Sequence, residues 1–162
     1  MTSKYVFYDT DITGWDEQNI CGDEYRQLIQ ICCQYCEMMS LYLTRNTLPL
    51  VNKIKEYEIG IPNSVDFVYG HYGHTFDSRV RFYRICPELC QILLDSTNSV
   101  FDWIDARGYS NPSDPAFYRA DGSVFFSSTT HDGECYLTPR ADEEVSAILE
   151  NSFWDVVYEQ YV

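Results

Sequence analysis

A cluster of reactive side chains lies between His131 and Cys135, where five consecutive residues hold an imidazole, two carboxylates and a thiol. A thiol in contact with an imidazole can act as a nucleophile with its general base. The Asp132-Gly133 step between them has the composition of a tight turn, which places His131 and Cys135 on its two arms. That geometry permits a contact between the two side chains but does not require one.

Two further histidines, His71 and His74, lie in a stretch that also contains two glycines. With His131 as a third ligand they could hold a metal ion, which the glycines would allow the backbone to approach. A loop with histidines at its surface is the simpler interpretation. One functional hypothesis is therefore a small metal- or thiol-dependent enzyme that uses His71, His74, His131 and Cys135.

The seven cysteines include two closely spaced pairs, Cys33-x-x-Cys36 and Cys86-x-x-x-Cys90, which could together supply four zinc ligands. The first pair, however, falls inside a predicted helix, whereas zinc and redox pairs favour turns and helix N-termini. Cys36 also lies on the apolar stripe of that helix, as buried cysteines do. Structural cysteines without a metal are therefore the favoured interpretation.

The N-terminal residues Met1–Thr10 contain one lysine and no apolar run of the length that a secretory leader needs. No stretch of the sequence approaches the roughly 20 apolar residues of a membrane span. We therefore expect a cytoplasmic protein whose cysteines are reduced thiols.

The charge is strongly negative, with 25 acidic and 11 basic residues and a formal net charge of −14. Direct binding to nucleic acid or to an anionic membrane is disfavoured, because both require a surplus of Lys and Arg. A negative surface instead attracts a basic partner. Acidity without a specific role is the simplest alternative.

Two Asp-Gly steps, Asp121-Gly122 and Asp132-Gly133, are flanked by residues that favour β-strands. Such a step between two β-rich runs is a strong signal for a two-residue hairpin turn. The stretch therefore predicts three consecutive antiparallel strands, which are Ala116–Arg119, Val124–Thr130 and Glu134–Leu137.

Hydrophobic spacing predicts the other elements. Apolar residues at helical intervals predict a long helix over Asp23–Thr44 and a last helix over Asp142–Tyr158. Other predicted elements are an edge strand at Tyr5–Tyr8, an extended segment at Val65–Tyr69, a strand at Ser78–Ile85, and shorter helices within Thr47–Ile59, from Pro87 onward and within Ser99–Ala106.

A chain of 162 residues suits a single domain, 1–162. The alternation of helices with hairpin-linked strands predicts an α+β fold. We expect an antiparallel sheet of about five strands, with about three to four helices packed mainly on one face.

The predicted function is that of an acidic, non-enzymatic protein-binding inhibitor without a cofactor or a metal. No phosphate loop, G-x-S-x-G elbow or H-E-x-x-H motif is present in the sequence. A negative surface suits an inhibitor that occupies a basic nucleic-acid-binding cleft, either as an immunity protein against a toxin such as a nuclease or as a phage-type inhibitor of a defence enzyme. The predicted partner contacts are Trp15 as an aromatic anchor and Asp16, Glu17, Asp142, Glu143 and Glu144 as charged contacts.

Overall fold

A computed structural model of the chain describes residues 3–8, 20–43, 48–65, 79–103, 111–151 and 154–158. The helices in these residues are α1 (Gly22–Tyr35), α2 (Leu48–Ile54), α3 (Pro87–Ser96) and α4 (Ser146–Asn151). The strands are β1 (Ser3–Tyr8), β2 (Met38–Tyr42), β3 (Glu58–Ile59), β4 (Val80–Arg84), β5 (Ser113–Tyr118), β6 (Val124–Thr129), β7 (Glu134–Leu137) and β8 (Asp155–Tyr158). Short 3₁₀ turns cover Lys55–Tyr57, Val100–Asp102 and Thr130–Asp132.

The strands form one sheet in the order β3-β4-β2-β5-β6-β7-β1-β8, and every pairing in it is antiparallel. The predicted α+β class is therefore confirmed. In the described residues the sheet has eight strands, where about five were expected. The additional strands are the very short β3 and two segments, β2 and β8, that were predicted to be helical.

The consecutive hairpins predicted from the Asp-Gly steps are present as β5, β6 and β7. Phe117 faces Phe126 across the first pair of strands, and Ser128 faces Cys135 across the second. Gly122 and Gly133 have φ angles of 86° and 67°, in the left-handed region. Glycine adopts these angles without the steric cost that a Cβ would bring. The hairpins are confirmed, but their turns are longer than the two residues expected, because residues 119–123 link β5 to β6 and residues 130–133 link β6 to β7.

The long helix predicted for Asp23–Thr44 is wrong in its second half. α1 ends at Tyr35, and Cys36 is already extended, with φ −118° and ψ 153°. The chain then enters β2, where Met39 to Tyr42 are all buried between β4 and β5. A strand covered on both faces is apolar at nearly every position, so its residues also satisfy a helical interval.

The predicted last helix, Asp142–Tyr158, is also too long, because the helical part is only α4 and the chain continues into β8. Val156 of β8 lies opposite Tyr5 of β1. On its other side β1 pairs with β7. The prediction of an edge strand at Tyr5–Tyr8 is therefore wrong, because β1 lies between two neighbours.

Two residues on opposite faces of β2 show how the two faces of the sheet are covered. Met39 belongs to the main core, together with Leu28 of α1 and Leu89 of α3. Tyr42 belongs to a second cluster, which also contains Val65. Since neighbours along a strand alternate between faces, the main core lies between the helices and one face of the sheet. The second cluster covers part of the other face.

The helices contact one another in the order α4-α1-α3-α2, and α1 also lies against β6. Tyr25 fastens α1 to the end of α3, because its hydroxyl forms a 2.5 Å hydrogen bond with Oγ1 of Thr97. The Trp103 indole N–H also donates to this hydroxyl, at 2.7 Å. In the part of the chain that the structure describes, none of the helices is long and apolar enough to cross a membrane.

Candidate protein-binding surface

The three adjacent helices α4, α1 and α3 present a surface that is rich in carboxylates. α1, α3 and residues 142–151 contain eight acidic residues and one basic residue, Arg26. We call this surface the anionic helix face, and its members are Asp23, Glu24, Glu88, Asp95, Asp142, Glu144 and Glu150, all exposed or half-buried. The eighth carboxylate, Glu143, is held inside the fold.

The sequence of each helix explains why its carboxylates face outward. In α1 the buried residues Tyr25, Leu28 and Cys32 recur at helical intervals and point into the core. The acidic residues of α1 lie in its first turn, where they complement the positive end of the helix dipole. In α3, Glu88 follows Pro87 in the first turn and Leu93 is buried, whereas Asp95 lies in the last turn.

The predicted contacts Asp142, Glu143 and Glu144 lie before α4 rather than in its first turn, because α4 begins at Ser146. Asp142 and Glu144 are exposed. The Glu144 carboxylate accepts hydrogen bonds from the backbone N–H and the hydroxyl of Ser146, and these bonds lower its pKa. The Glu144 backbone N–H donates to the Tyr35 hydroxyl at 2.9 Å, which ties this segment to α1.

Glu143 forms an ion pair with Arg119, and each of the two side chains is only 7% exposed. Nε and Nη2 of the guanidinium donate to the two carboxylate oxygens at 2.7 and 2.5 Å. The same guanidinium also donates to the carbonyl oxygens of Val124 and Thr138. Glu143 therefore serves to hold the segment before α4 against the hairpins.

The pKa of Glu143 shows the balance of forces at this pair. Burial by itself raises the pKa, but the hydrogen bonds from Arg119 and from the Arg140 backbone N–H, with both guanidinium charges, outweigh it. The net effect is a pKa below the ordinary value of a glutamate. Glu143 is therefore ionised in the folded protein at neutral pH.

A second ion pair lies nearby at the surface, where Nη2 of Arg140 donates to Asp121 at 2.5 Å. Asp121 also accepts from the hydroxyl and the backbone N–H of Ser123. Its pKa is lowered by the Ser123 hydroxyl first and by Arg140 second. Arg119 and Arg140, the two cations between β5 and α4, are thus both paired with carboxylates.

Basic residues are grouped at the end of the sheet formed by β3 and β4. The basic residues there, which we call the basic corner, are Lys53, Lys55, Arg79, Arg81 and Arg84. Arg81 lies 3.8 Å from Glu58, with their side chains 40% and 42% exposed. Arg79 and Arg84 lie over the rings of Tyr42 and Tyr57. These cations therefore remain at the surface, and those over the rings gain cation–π contacts.

The residues of the enzyme hypothesis occupy different environments where the structure describes them. Cys135 is completely buried in β7, and burial raises the pKa of its thiol well above the ordinary value. His131 is exposed in the turn before β7. A substrate that reached the imidazole would therefore not reach the thiol, and the thiol would not ionise readily. His71 and His74 lie outside the described residues.

Two of the cysteines form a disulfide, Cys33–Cys90, which joins α1 to α3. The expectation that all the cysteines are reduced thiols is therefore wrong for this pair. Cys36 is buried, and burial is the main cause of its raised pKa, as the structural interpretation predicted. Across the described ranges, no group of three or more His, Cys, Asp or Glu side chains is arranged to hold a metal ion.

Sequence reasoning selected Asp142 and Glu144 correctly as surface residues, but it missed the contributions of α1 and α3. The predicted contacts Trp15, Asp16 and Glu17 lie outside the described residues. The acidic residues Glu88 and Asp95 of α3 are separated in sequence from those near α4, so only the helix contacts bring them together.

Comparison with protein-family models, curated proteins and solved structures found no match for this chain.

Proposed function

We propose that the protein is an acidic, non-enzymatic protein-binding inhibitor that uses the anionic helix face to occupy a basic, nucleic-acid-binding cleft of another protein. The observation that carries this proposal is the surface formed by three adjacent helices and the segment before α4, which carries seven carboxylates and one guanidinium. A cleft that binds phosphates is lined by Lys and Arg. Carboxylates on a rigid helical surface offer such a cleft the same charge.

The arrangement of the charges favours a directed role over general acidity. Charges spread evenly for solubility would show no such grouping, whereas most of the exposed cations in the described residues lie in the basic corner, away from the three helices. A field of this kind orients a basic partner toward one side of the molecule during the encounter. Both an immunity protein that neutralises a nuclease and a phage-type inhibitor of a defence enzyme would act in this way, in the cytoplasm and without contacting nucleic acid.

The test is a pair of variants that lose the same amount of charge. The first neutralises three exposed carboxylates of the anionic helix face, with Asp95→Asn, Asp142→Asn and Glu150→Gln. The control neutralises three exposed carboxylates elsewhere, with Glu37→Gln, Glu56→Gln and Asp132→Asn. Glu143 is left unchanged in both, because replacing it would break the buried pair with Arg119.

Immobilised wild-type protein should capture a basic protein from a low-salt bacterial lysate, and salt should elute it. With the purified pair, the association rate should fall roughly tenfold for the face variant and much less for the control, and added salt should remove the difference. The inhibitor role further requires that the partner's nucleic-acid cleavage stops when it is bound. Equal association rates for the two variants, or binding that is independent of salt, would contradict the proposal.

A further inference from the structure

We propose that Cys33 and Cys90 form a reversible thiol–disulfide switch that sets how rigidly α1 and α3, two of the three helices of the anionic helix face, are held together. This regulation rests on the function proposed for that face. The disulfide joins α1 to α3, and the two Cα atoms are 6.6 Å apart. That separation falls within the span of ordinary disulfides, so the bond can open and close without moving the helices.

The two bonded cysteines are more accessible than the nearby Cys32 and Cys36. Cys33 and Cys90 are half-buried, whereas Cys32 and Cys36 are buried. Thiol–disulfide exchange requires an attacking thiolate to reach one sulfur of the bond directly. A reductant in solution therefore reaches the Cys33–Cys90 bond, while Cys32 and Cys36 stay protonated because burial raises their pKa values.

The exchange is a two-electron step. One thiolate of a reducing dithiol attacks a sulfur of the bond, forms a mixed disulfide and releases the other cysteine as a thiolate. The second thiolate of the reductant then attacks the mixed disulfide and displaces the remaining cysteine. The reductant is left as a disulfide, and the two reduced cysteines take up two protons. In the reverse direction, the oxidant is a small disulfide such as oxidised glutathione, which is reduced to two thiols.

The helices keep other contacts when the bond is open. Leu28 of α1 and Leu89 of α3 lie in the same core cluster, and Tyr25 remains bonded to Thr97. The reduced protein therefore stays folded, but it loses a crosslink between positions 57 residues apart in the sequence. Losing a loop constraint of that size should lower the melting temperature by roughly 10 °C.

The experiment equilibrates the purified protein in buffers that range from reduced to oxidised glutathione. Alkylation followed by mass measurement counts the free thiols, and the melting temperature and the amide exchange of α1 and α3 are measured in the same samples. One reversible transition of two thiols is expected. Reduction should lower the melting temperature and accelerate exchange in both helices.

Two variants serve as controls. Cys33→Ser/Cys90→Ser should melt like the reduced wild type and lose all response to glutathione. Cys21→Ser, which removes an exposed free thiol outside the pair, should respond as the wild type does. Failure of the bond to form in oxidised glutathione, or a melting temperature and exchange rates that are equal in the two states, would overturn the switch. These readouts need no partner, so the switch can fail while charge-dependent binding succeeds, and the reverse also holds.

Discussion

The anionic helix face and the basic corner differ in sign and also in how their charges are held. Beside the anionic face, Arg119 is buried against Glu143 and serves the fold. In the basic corner, Arg81 is 40% exposed and lies 3.8 Å from Glu58. Near the anionic face, charge is therefore divided between one buried pair and carboxylates at the surface, whereas the cations of the corner lie at the surface. The net charge of −14 thus describes neither region well.

A close backbone contact outside both regions offers a further comparison. Gly122, in the turn between β5 and β6, approaches the carbonyl group of Ser64, and a Cβ at Gly122 would lie 1.9 Å from that oxygen. Ser64 belongs to the segment that leaves β3, and the neighbouring Asp121 is paired with Arg140. Changes to the two ion pairs test how differently the regions hold their charges, and a change at Gly122 measures a backbone contact on the same scale.

The largest expected effect comes from Arg119→Ala. This change leaves the Glu143 carboxylate buried without its partner, which should cost about 3–5 kcal/mol of unfolding free energy. The matched control Arg81→Ala breaks an exposed pair and should cost about 0–1 kcal/mol. Denaturant unfolding measures both. Adding Glu143→Gln to Arg119→Ala should restore part of the loss, and equal costs for the two arginines would break the comparison.

A smaller effect is expected from Gly122→Ala. The new Cβ would meet the Ser64 carbonyl, and the φ angle of 86° is one that residues other than glycine rarely adopt. The strain should cost about 1–3 kcal/mol. Gly60→Ala is the control, because a Cβ there meets no atom within 4 Å. Thermal unfolding should separate the two variants, and a Gly122→Ala protein as stable as the control would show that the contact is not required.

The smallest effect concerns acid stability. The folded-state pKa of Glu143 lies below its ordinary value of 4.5, so ionised Glu143 favours the folded protein. Its stabilisation is present above that pH and is lost as the pH falls through the folded-state pKa. Glu143→Gln should therefore unfold with a weaker pH dependence below about 4.5 than the wild type does. Parallel pH profiles for the two proteins would contradict this role.

The sequence allowed the hairpins to be predicted because their turns are determined locally. An Asp-Gly step needs a left-handed glycine, and Gly122 and Gly133 both have positive φ. The segments that were misassigned are β2 and β8, whose strand conformation depends on neighbours that are distant in sequence. Met39 to Tyr42 are buried because β4 and β5 flank them, and no local signal reports that.

The candidate surface was predictable only in part, for the same reason. The acidic character of Asp142 and Glu144 is visible in the sequence, and so is their position near a helix. The sequence did not predict that Glu143 forms a buried ion pair, because its partner Arg119 lies 24 positions away. The joining of α3 to the same surface depends on tertiary helix contacts and on the bond between Cys33 and Cys90. Residue types therefore indicated the chemistry, and the fold decided which residues share a surface.

The position of β1 between β7 and β8 has a consequence for folding. Both strands that pair with β1 lie far from it along the chain. This end of the sheet therefore forms only when a long stretch of intervening chain has closed into a loop, and such long-range pairing is slow. Until both partners have docked, the two edges of β1 are open to other chains, so a folding intermediate is most vulnerable to aggregation at this strand.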